Sequence, residues 1–164
     1  STYSGAQQSQ IISTGKASGY RFVVNSVTFP SVIQTGVPFS ISAAWTNLGV
    51  TPAYAAQTVW FELRPRGQTG LAAARNSQLN LQTFLPASQP QTAADRFIIG
   101  GRTLPPSGGN TYDLAMVVLE DGGQRRPLHL AISGATSAGR YPLGTVTIER
   151  TSNGRSLFLP YVGR

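Results

Sequence analysis

The sequence predicts an all-β domain: an antiparallel β-sandwich of fibronectin-like or immunoglobulin-like type, with about eight or nine strands. Short segments alternate between apolar and polar residues, as half-buried strands do, and helical periodicity hardly appears. Clusters of Gly, Pro and Asn separate these segments and predict turns. The length of 164 residues suits one domain with one core. We therefore predict a flexible arm or linker at 1–18 and a single sandwich at 19–164.

Three alternating segments predict strands in the first half of the chain, at residues 20–29, 38–47 and 58–64. In the second of them Trp45 shares the apolar face with Phe39 and Ile41. We therefore expect Trp45 to lie in the core.

The second half of the chain contains most of the remaining predicted strands. They lie at residues 77–84, 96–101, 111–120, 126–133, 141–150 and 155–162. Hairpin turns are predicted at 121–123 and 153–154, where Gly and Asn accept positive φ at little cost. The segment 69–77 is rich in alanine and is interpreted as a helical turn.

The net charge of +7 raises the question of nucleic-acid binding. The twelve arginines are scattered along the chain, however, and no basic helix or RNA-binding aromatic motif accompanies them. We therefore predict no nucleic-acid partner.

The sequence contains no run of eighteen apolar residues, so it predicts no membrane span. The low charged fraction of 12% and the abundance of Gly, Pro, Ser and Thr are typical of a secreted protein. We expect an extracellular monomer that is part of a larger protein.

Catalytic chemistry has little support in the sequence. A glycosidase needs two carboxyl groups across the scissile bond, and the adjacent pair Glu120 and Asp121 leads into a predicted turn. His129 is the single histidine and is interpreted as a surface strand residue. Calcium binding through Asp113 and these two acids stays open, but no acidic ligand loop is recognisable. We predict no enzyme activity, no cofactor and no metal.

The strand at 58–64 predicts a binding surface. Val59, Phe61 and Leu63 form its apolar face, so Trp60 falls on the opposite face together with Glu62 and Arg64. An outward aromatic ring can stack on the apolar face of a sugar, and a carboxylate and a guanidinium can accept from and donate to its hydroxyls. The alternative is a Trp60 covered by another part of the protein, because large aromatic side chains are mostly buried.

Other residues near this strand extend the candidate carbohydrate site. Tyr54, in the preceding loop, can widen the aromatic platform or pack over a sheet edge. Gln57 is a candidate polar contact. Asn47 is interpreted mainly as a turn residue that bonds its own backbone.

Several stretches resemble a bacterial family of domains of unknown function, β-sandwiches found after glycosidase-like TIM barrels. They are "GYRFVV" at 19–24, "WTNLGVTPAY" at 45–54, "LHLAIS" at 128–133 and "GRYPLGTVTI" at 139–148. The resemblance implies an accessory module beside a carbohydrate-active domain, with no catalytic residues of its own.

The predicted function is therefore non-catalytic carbohydrate binding. The expected partners are a polysaccharide, with plant cell-wall glucan first, and a covalently attached glycoside hydrolase. The alternative is a structural module that packs against its catalytic domain or the cell surface and binds no sugar. The environment of Trp60 separates the two, since an apolar patch rimmed by arginine fits a domain interface.

Overall fold

The computed structural model describes residues 19–100, 104, 109–121 and 126–150. The described part of the chain contains eight strands and one short 3-10 turn at Leu81–Thr83. The strands are β1 (Phe22–Thr28), β2 (Val32–Gln34), β3 (Phe39–Asn47), β4 (Gln57–Pro65), β5 (Ala73–Asn76), β6 (Gln91–Phe97), β7 (Thr111–Glu120) and β8 (Arg140–Glu149).

The strands form two sheets that face each other. One has three strands in the order β1-β3-β6, and the other has five in the order β2-β8-β7-β4-β5. The pairings within the first sheet, and those from β8 to β5 in the second, are antiparallel. This order matches an immunoglobulin-like sandwich, with β4, β7 and β8 in the places of strands C, F and G. The predicted fold class is confirmed.

The strand β2 departs from the antiparallel prediction. It is absent from the predicted strands, and it pairs in parallel with the end of β8, Val32 opposite Thr147 and Gln34 opposite Glu149. The chain thus leaves the first sheet after β1 and joins the edge of the second. The Thr147 N–H donates to the Ser31 carbonyl and ties the crossover to β8.

The core lies between the two sheets and is built by alternate residues of each strand. Trp45 is 1% exposed, which confirms its predicted place in the core. Phe97 lies at the centre of an aromatic group, with ring centroids 5.9 Å from Phe39 and 5.7 Å from Phe61. Complete burial of each large apolar side chain contributes about 1.5–3 kcal/mol to the free energy of folding.

Two predictions between β4 and β6 are wrong. The segment 69–77 contains strand β5 where a helical turn was predicted, and residues 77–84 form no strand. In the latter segment, side chains satisfy the backbone in place of a neighbouring strand. Asp95 accepts from the Ser77 hydroxyl and the Gln78 N–H, and Asn80 caps the 3-10 turn by accepting from the Gln82 N–H.

Two later strand predictions also need correction. The strand predicted at 96–101 lies earlier in the chain, as β6. The segment 126–133 pairs with β7 only at its start, where the Leu128 N–H donates to the Val118 carbonyl. It then crosses to the other sheet, where the Ala131 N–H donates to the Phe22 carbonyl. The arm at 1–18, the strand at 155–162, the turn at 153–154 and the glycines of the 121–123 turn lie outside the described residues.

The "WTNLG" stretch has a structural explanation. Asn47 is 1% exposed, and its side chain makes four hydrogen bonds to backbone groups. Its Oδ1 accepts from the N–H groups of Arg21 and Gly49, each at 3.0 Å. Its Nδ2 donates to the carbonyls of Thr51 and Phe84. The predicted turn role of Asn47 is thus confirmed, and the side chain also joins the turn to two other segments of the chain.

Candidate functional site

The outer side of the five-stranded sheet contains the residues predicted to bind sugar. On β4, Val59, Phe61 and Leu63 point into the core, and Trp60 lies on the other face, partly exposed. The strand register places Trp60 opposite Val117 on β7, and Val117 opposite Arg140 on β8. An indole, an aliphatic side chain and a guanidinium therefore lie in one row across three strands.

Val117 is an unusual member of this row. It is 4% exposed although it lies on the outer face, and it is not part of the core cluster between the sheets. Its neighbours across the sheet are Trp60 on one side and Arg140 on the other. These two large side chains flank it, so the row has an apolar centre. We call Trp60, Val117, Arg140, Glu62 and Arg64 the Trp60 face.

Glu62 is the electrostatic centre of the Trp60 face. It is 8% exposed, and its Oε2 accepts a hydrogen bond from Arg140 Nε at 2.6 Å and another from Arg64 Nη2 at 2.9 Å. Both contacts are also ion pairs. One carboxylate oxygen thus holds two arginines from two different strands.

The pKa of Glu62 reflects this position. Burial of the carboxylate acts to raise its pKa, but the hydrogen bonds from Arg140 and Arg64 and their positive charges outweigh the burial, so the pKa lies below its ordinary value. Glu62 is therefore ionised at neutral pH and keeps both guanidinium groups in place.

The two arginines differ in what remains available to a ligand. Arg64 also donates through Nη1 to the Thr69 carbonyl, so it links β4 to the loop that leads to β5. Arg140 contacts Glu62 through Nε, and its side chain is 32% exposed. Since the contact with Glu62 uses Nε alone, it leaves the two terminal nitrogens of Arg140 for other acceptors.

The other predicted site residues lie apart from this row. Tyr54 is 72% exposed, and its carbonyl accepts from Gln82 Nε2. Among the described aromatic residues, no ring contact joins Tyr54 to Trp60. Gln57 is 4% exposed and lies beside the Tyr20 hydroxyl, so it offers almost no surface to a ligand.

Sequence reasoning missed Arg140 and Val117. Arg140 lies 78 residues from Glu62 in the chain. Only the pairing of β7 with both β4 and β8 brings the two together. One feature of the sequence could have indicated Val117. The run "MVVL" at 116–119 is apolar at every position, whereas a strand with one face in water alternates between apolar and polar residues, so Val117 is an apolar residue on the outward face.

Two other kinds of feature are absent from the described residues. No helix in this part of the chain has the length and apolarity to cross a membrane. No three His, Cys, Asp or Glu side chains come together within the described ranges as a metal site would require. The absence of a metal and of enzyme activity stays a prediction.

Comparison with known proteins assigns no family to this chain. No family model matches it, and no curated protein matches it. The resemblance to bacterial accessory domains therefore stays a prediction.

Solved structures of several β-rich proteins are similar to this chain at low identity. The CARDB domain of a Pyrococcus furiosus protein, in complex with di-metal ions, has a TM-score of 0.42 and 10% identity, with 79% of this chain and 94% of that chain covered. A cohesin module from a Clostridium perfringens family 33 glycoside hydrolase has a TM-score of 0.39 and 11% identity, with 82% and 99% covered. A Niemann-Pick type C2 protein from the Japanese carpenter ant has a TM-score of 0.43 and 6% identity, with 81% and 95% covered.

All three TM-scores lie below 0.5, and the architecture rests on the strand pairing described above. The chain is a β-sandwich domain.

Proposed function

We propose that this domain is a non-catalytic module that binds polysaccharide through the Trp60 face. The observation that supports the proposal is the row Trp60, Val117 and Arg140, which puts an outward indole and an oriented guanidinium on one rigid sheet. A pyranose ring needs both, because its C–H face stacks on an aromatic ring while its hydroxyls need hydrogen-bond partners.

The roles of the polar residues differ from the simplest expectation. Glu62 is buried under two arginines and acts as a positioning residue. Arg140 provides the donors that meet sugar hydroxyls, and Arg64 braces Glu62 from the other side. Tyr54 extends the aromatic platform only for a polysaccharide chain that is long enough to reach the loop before β4. Gln57 has no contact role in this proposal, because it is buried.

The module acts by proximity. A covalently attached glycoside hydrolase would be held on its polysaccharide, which raises the effective concentration of substrate without any chemistry in this domain. Affinity is expected to be modest, since one indole and one guanidinium form a small interface. An extracellular location follows from the same proposal, with plant cell-wall glucan as the first polymer to test.

A pull-down on insoluble cellulose, xylan, chitin and mannan tests the proposal at moderate salt, which limits non-specific attraction by the +7 charge. We expect retention on one polymer, loss of retention in Trp60→Ala and weaker retention in Arg140→Ala. Arg66→Ala is the matched control, because it removes one positive charge in an exposed turn. Equal loss in Arg66→Ala and Arg140→Ala would show charge-driven adsorption and contradict a specific site.

A second function is favoured by one observation, the burial of Val117 between Trp60 and Arg140. An apolar centre rimmed by arginine suits a protein interface as well as a sugar platform. In this alternative the Trp60 face packs against the attached catalytic domain. Retention on no polymer, together with a shielded Trp60 in the full-length protein and an accessible Trp60 in the isolated domain, would support the interface and overturn sugar binding.

A further inference from the structure

A cavity of about 240 Å³ lies between the two sheets, on the inner side of the five-stranded sheet whose outer side is the Trp60 face. It opens where the inner sides of β1 and β8 approach each other at one edge of the sandwich. Its lining comes from both sheets and from the β7–β8 connection, and includes Val24, Val27, Met116, Ile132, Tyr141 and Leu143.

The topology explains why this edge is open. On the second sheet, β2 pairs with β8 only from Thr147 to Glu149. Within the described residues, no strand covers the remaining part of β8 on that side. The connection after β7 crosses the opening near Ile132, where it contributes to the cavity wall. A longer β2 would cover this part of β8. Because β2 is short, the edge stays open and forms an entrance to the core.

The cavity has a clear division between floor and rim. Met116 and Tyr141 are almost fully buried and form the floor, whereas Val24, Val27 and Leu143 are only partly buried. The Tyr141 hydroxyl accepts a hydrogen bond from the Leu130 N–H at 2.7 Å, which fixes the position of the ring. Further lining residues are polar or small, namely Ser26, Ser133, Gly134 and Pro142.

The chemistry of this lining selects a class of ligand. Its lining presents polar atoms and apolar side chains in similar measure, so it favours a molecule that has both an apolar body and a polar group. Among the described residues, no charged side chain lines the cavity, so a charged group taken from water into it would find no partner there. The two serine hydroxyls can pair with a neutral hydroxyl or carbonyl. An apolar protein cavity of about 150 Å³ holds a benzene molecule, so this one has room for a somewhat larger group.

We propose that this cavity is a binding site for a small neutral amphipathic molecule, with an aromatic or short aliphatic body and one hydroxyl or carbonyl group. The body packs between Val24, Val27 and Leu143, above the buried Met116 and Tyr141, and the polar group lies at the rim beside Ser26 and Ser133. The site is independent of the Trp60 face, because it lies on the inner side of the sheet and shares none of the residues of that face.

Met116 provides a direct test, because it is the single methionine of the chain. The protein labelled with ¹³C at the methionine methyl group gives one resonance, which is titrated with 2-naphthol. We expect a saturable shift of this resonance, because the ring current of an aromatic ring bound above Met116 changes the shielding of its methyl group. The charged analogue 2-naphthalenesulfonate should leave the resonance unmoved. No shift with 2-naphthol, or equal shifts with both compounds, would overturn the proposal.

Variants locate the site. Leu143→Phe places a larger side chain in the opening and should weaken 2-naphthol binding about tenfold or more. Val32→Phe adds the same ring at an exposed strand position outside the cavity and should bind as the wild type does. Should Leu143→Phe not fold, Val24→Ile fills the opening by one methylene and should weaken binding in the same direction. Unchanged binding in the folded filling variants would overturn the assignment.

Discussion

The Asn47 side-chain oxygen accepts a hydrogen bond from the Gly49 N–H at 3.0 Å, and this turn presses Gly49 against the start of the described chain. A Cβ atom at position 49 would lie 2.1 Å from the Gly19 carbonyl oxygen and 2.5 Å from the Tyr20 Cα. Both neighbours are backbone atoms and cannot turn aside. The glycine is thus needed because two backbone segments meet there.

Gly49→Ala should therefore destabilise the domain by about 2–4 kcal/mol, through forced separation of the turn from the start of β1. Urea denaturation followed by fluorescence measures the change. Gly70→Ala is the matched control, because no atom lies within 4 Å of a Cβ at that position, and it should change the free energy of unfolding by less than about 0.5 kcal/mol. Equal effects of the two variants would contradict the close approach at Gly49.

Asn47→Ala should cost about 3–5 kcal/mol, because four backbone groups, one buried and three partly buried, lose their partner at once. Asn76→Ala, on an exposed position of β5, is the comparison and should be nearly neutral. Chemical denaturation of both variants checks the difference. A small effect at position 47 would mean that water replaces the amide.

Tyr141→Phe removes the hydroxyl that accepts the Leu130 N–H at 2.7 Å in a buried place. The orphaned donor should lower the free energy of unfolding by about 1–3 kcal/mol. Tyr54→Phe deletes the same atom from a side chain that is 72% exposed, and it should have little effect. Slower hydrogen exchange at Leu130 in wild type than in Tyr141→Phe would confirm the bond itself.

The stability contributed by Glu62 should depend on pH. Its pKa in the folded state is lower than in the unfolded chain, so its contribution is complete above about pH 4.5 and is lost as the pH falls through the folded-state pKa. Glu62→Gln has no such titration. The difference in unfolding free energy between wild type and Glu62→Gln should therefore be constant from pH 7 to 5 and shrink below pH 4.5. A difference that stays constant down to pH 3 would contradict the lowered pKa.

The two tryptophans should respond differently to a quencher. Trp45 is 1% exposed, whereas Trp60 is partly exposed on the outer face. Acrylamide should quench wild-type emission more strongly than the emission of Trp60→Phe, in which only Trp45 remains. Equal quenching constants would contradict the partial exposure of Trp60, on which both proposed uses of the Trp60 face depend.

Five of the eight described strands could be predicted from the sequence to within about two residues, because long and strongly periodic segments are the elements that a sequence predicts best. Each of them has large side chains alternating on its core face, as Phe39, Ile41 and Trp45 do on β3. The strand β6 was misplaced because the inward positions that precede Phe97 are Ala93 and Asp95, which carry little apolar signal. The strand β2 is three residues long, too short for any period to register.

The candidate site was only partly predictable for a related reason. The alternation of apolar and polar residues along β4 is a local pattern, so the outward position of Trp60 could be predicted from it. The burial of Glu62 depends on Arg140, which lies on another strand. The pairing of β7 with β8 that brings Arg140 near Glu62 contains a bulge, which shifts the register between Leu114 and Ala115. No local pattern contains that register. Gln57 is a different case, because alternation along β4 puts it on the same face as Val59 and Phe61, so its burial could have been predicted from the sequence.

The parallel contact between β2 and β8 has a consequence for how the chain folds. Gln34 Nε2 reaches Glu149 Oε2 at 3.2 Å across 115 residues of sequence, so the edge of the larger sheet cannot form until almost the whole domain has been synthesised. Contacts of such separation carry a large loop-closure entropy, and sandwiches rich in them fold in about milliseconds to seconds. During translation the hydrogen-bonding edge of β7 therefore stays unpaired until β8 has been made, and a ribosome-bound chain that stops before residue 147 should remain sensitive to protease.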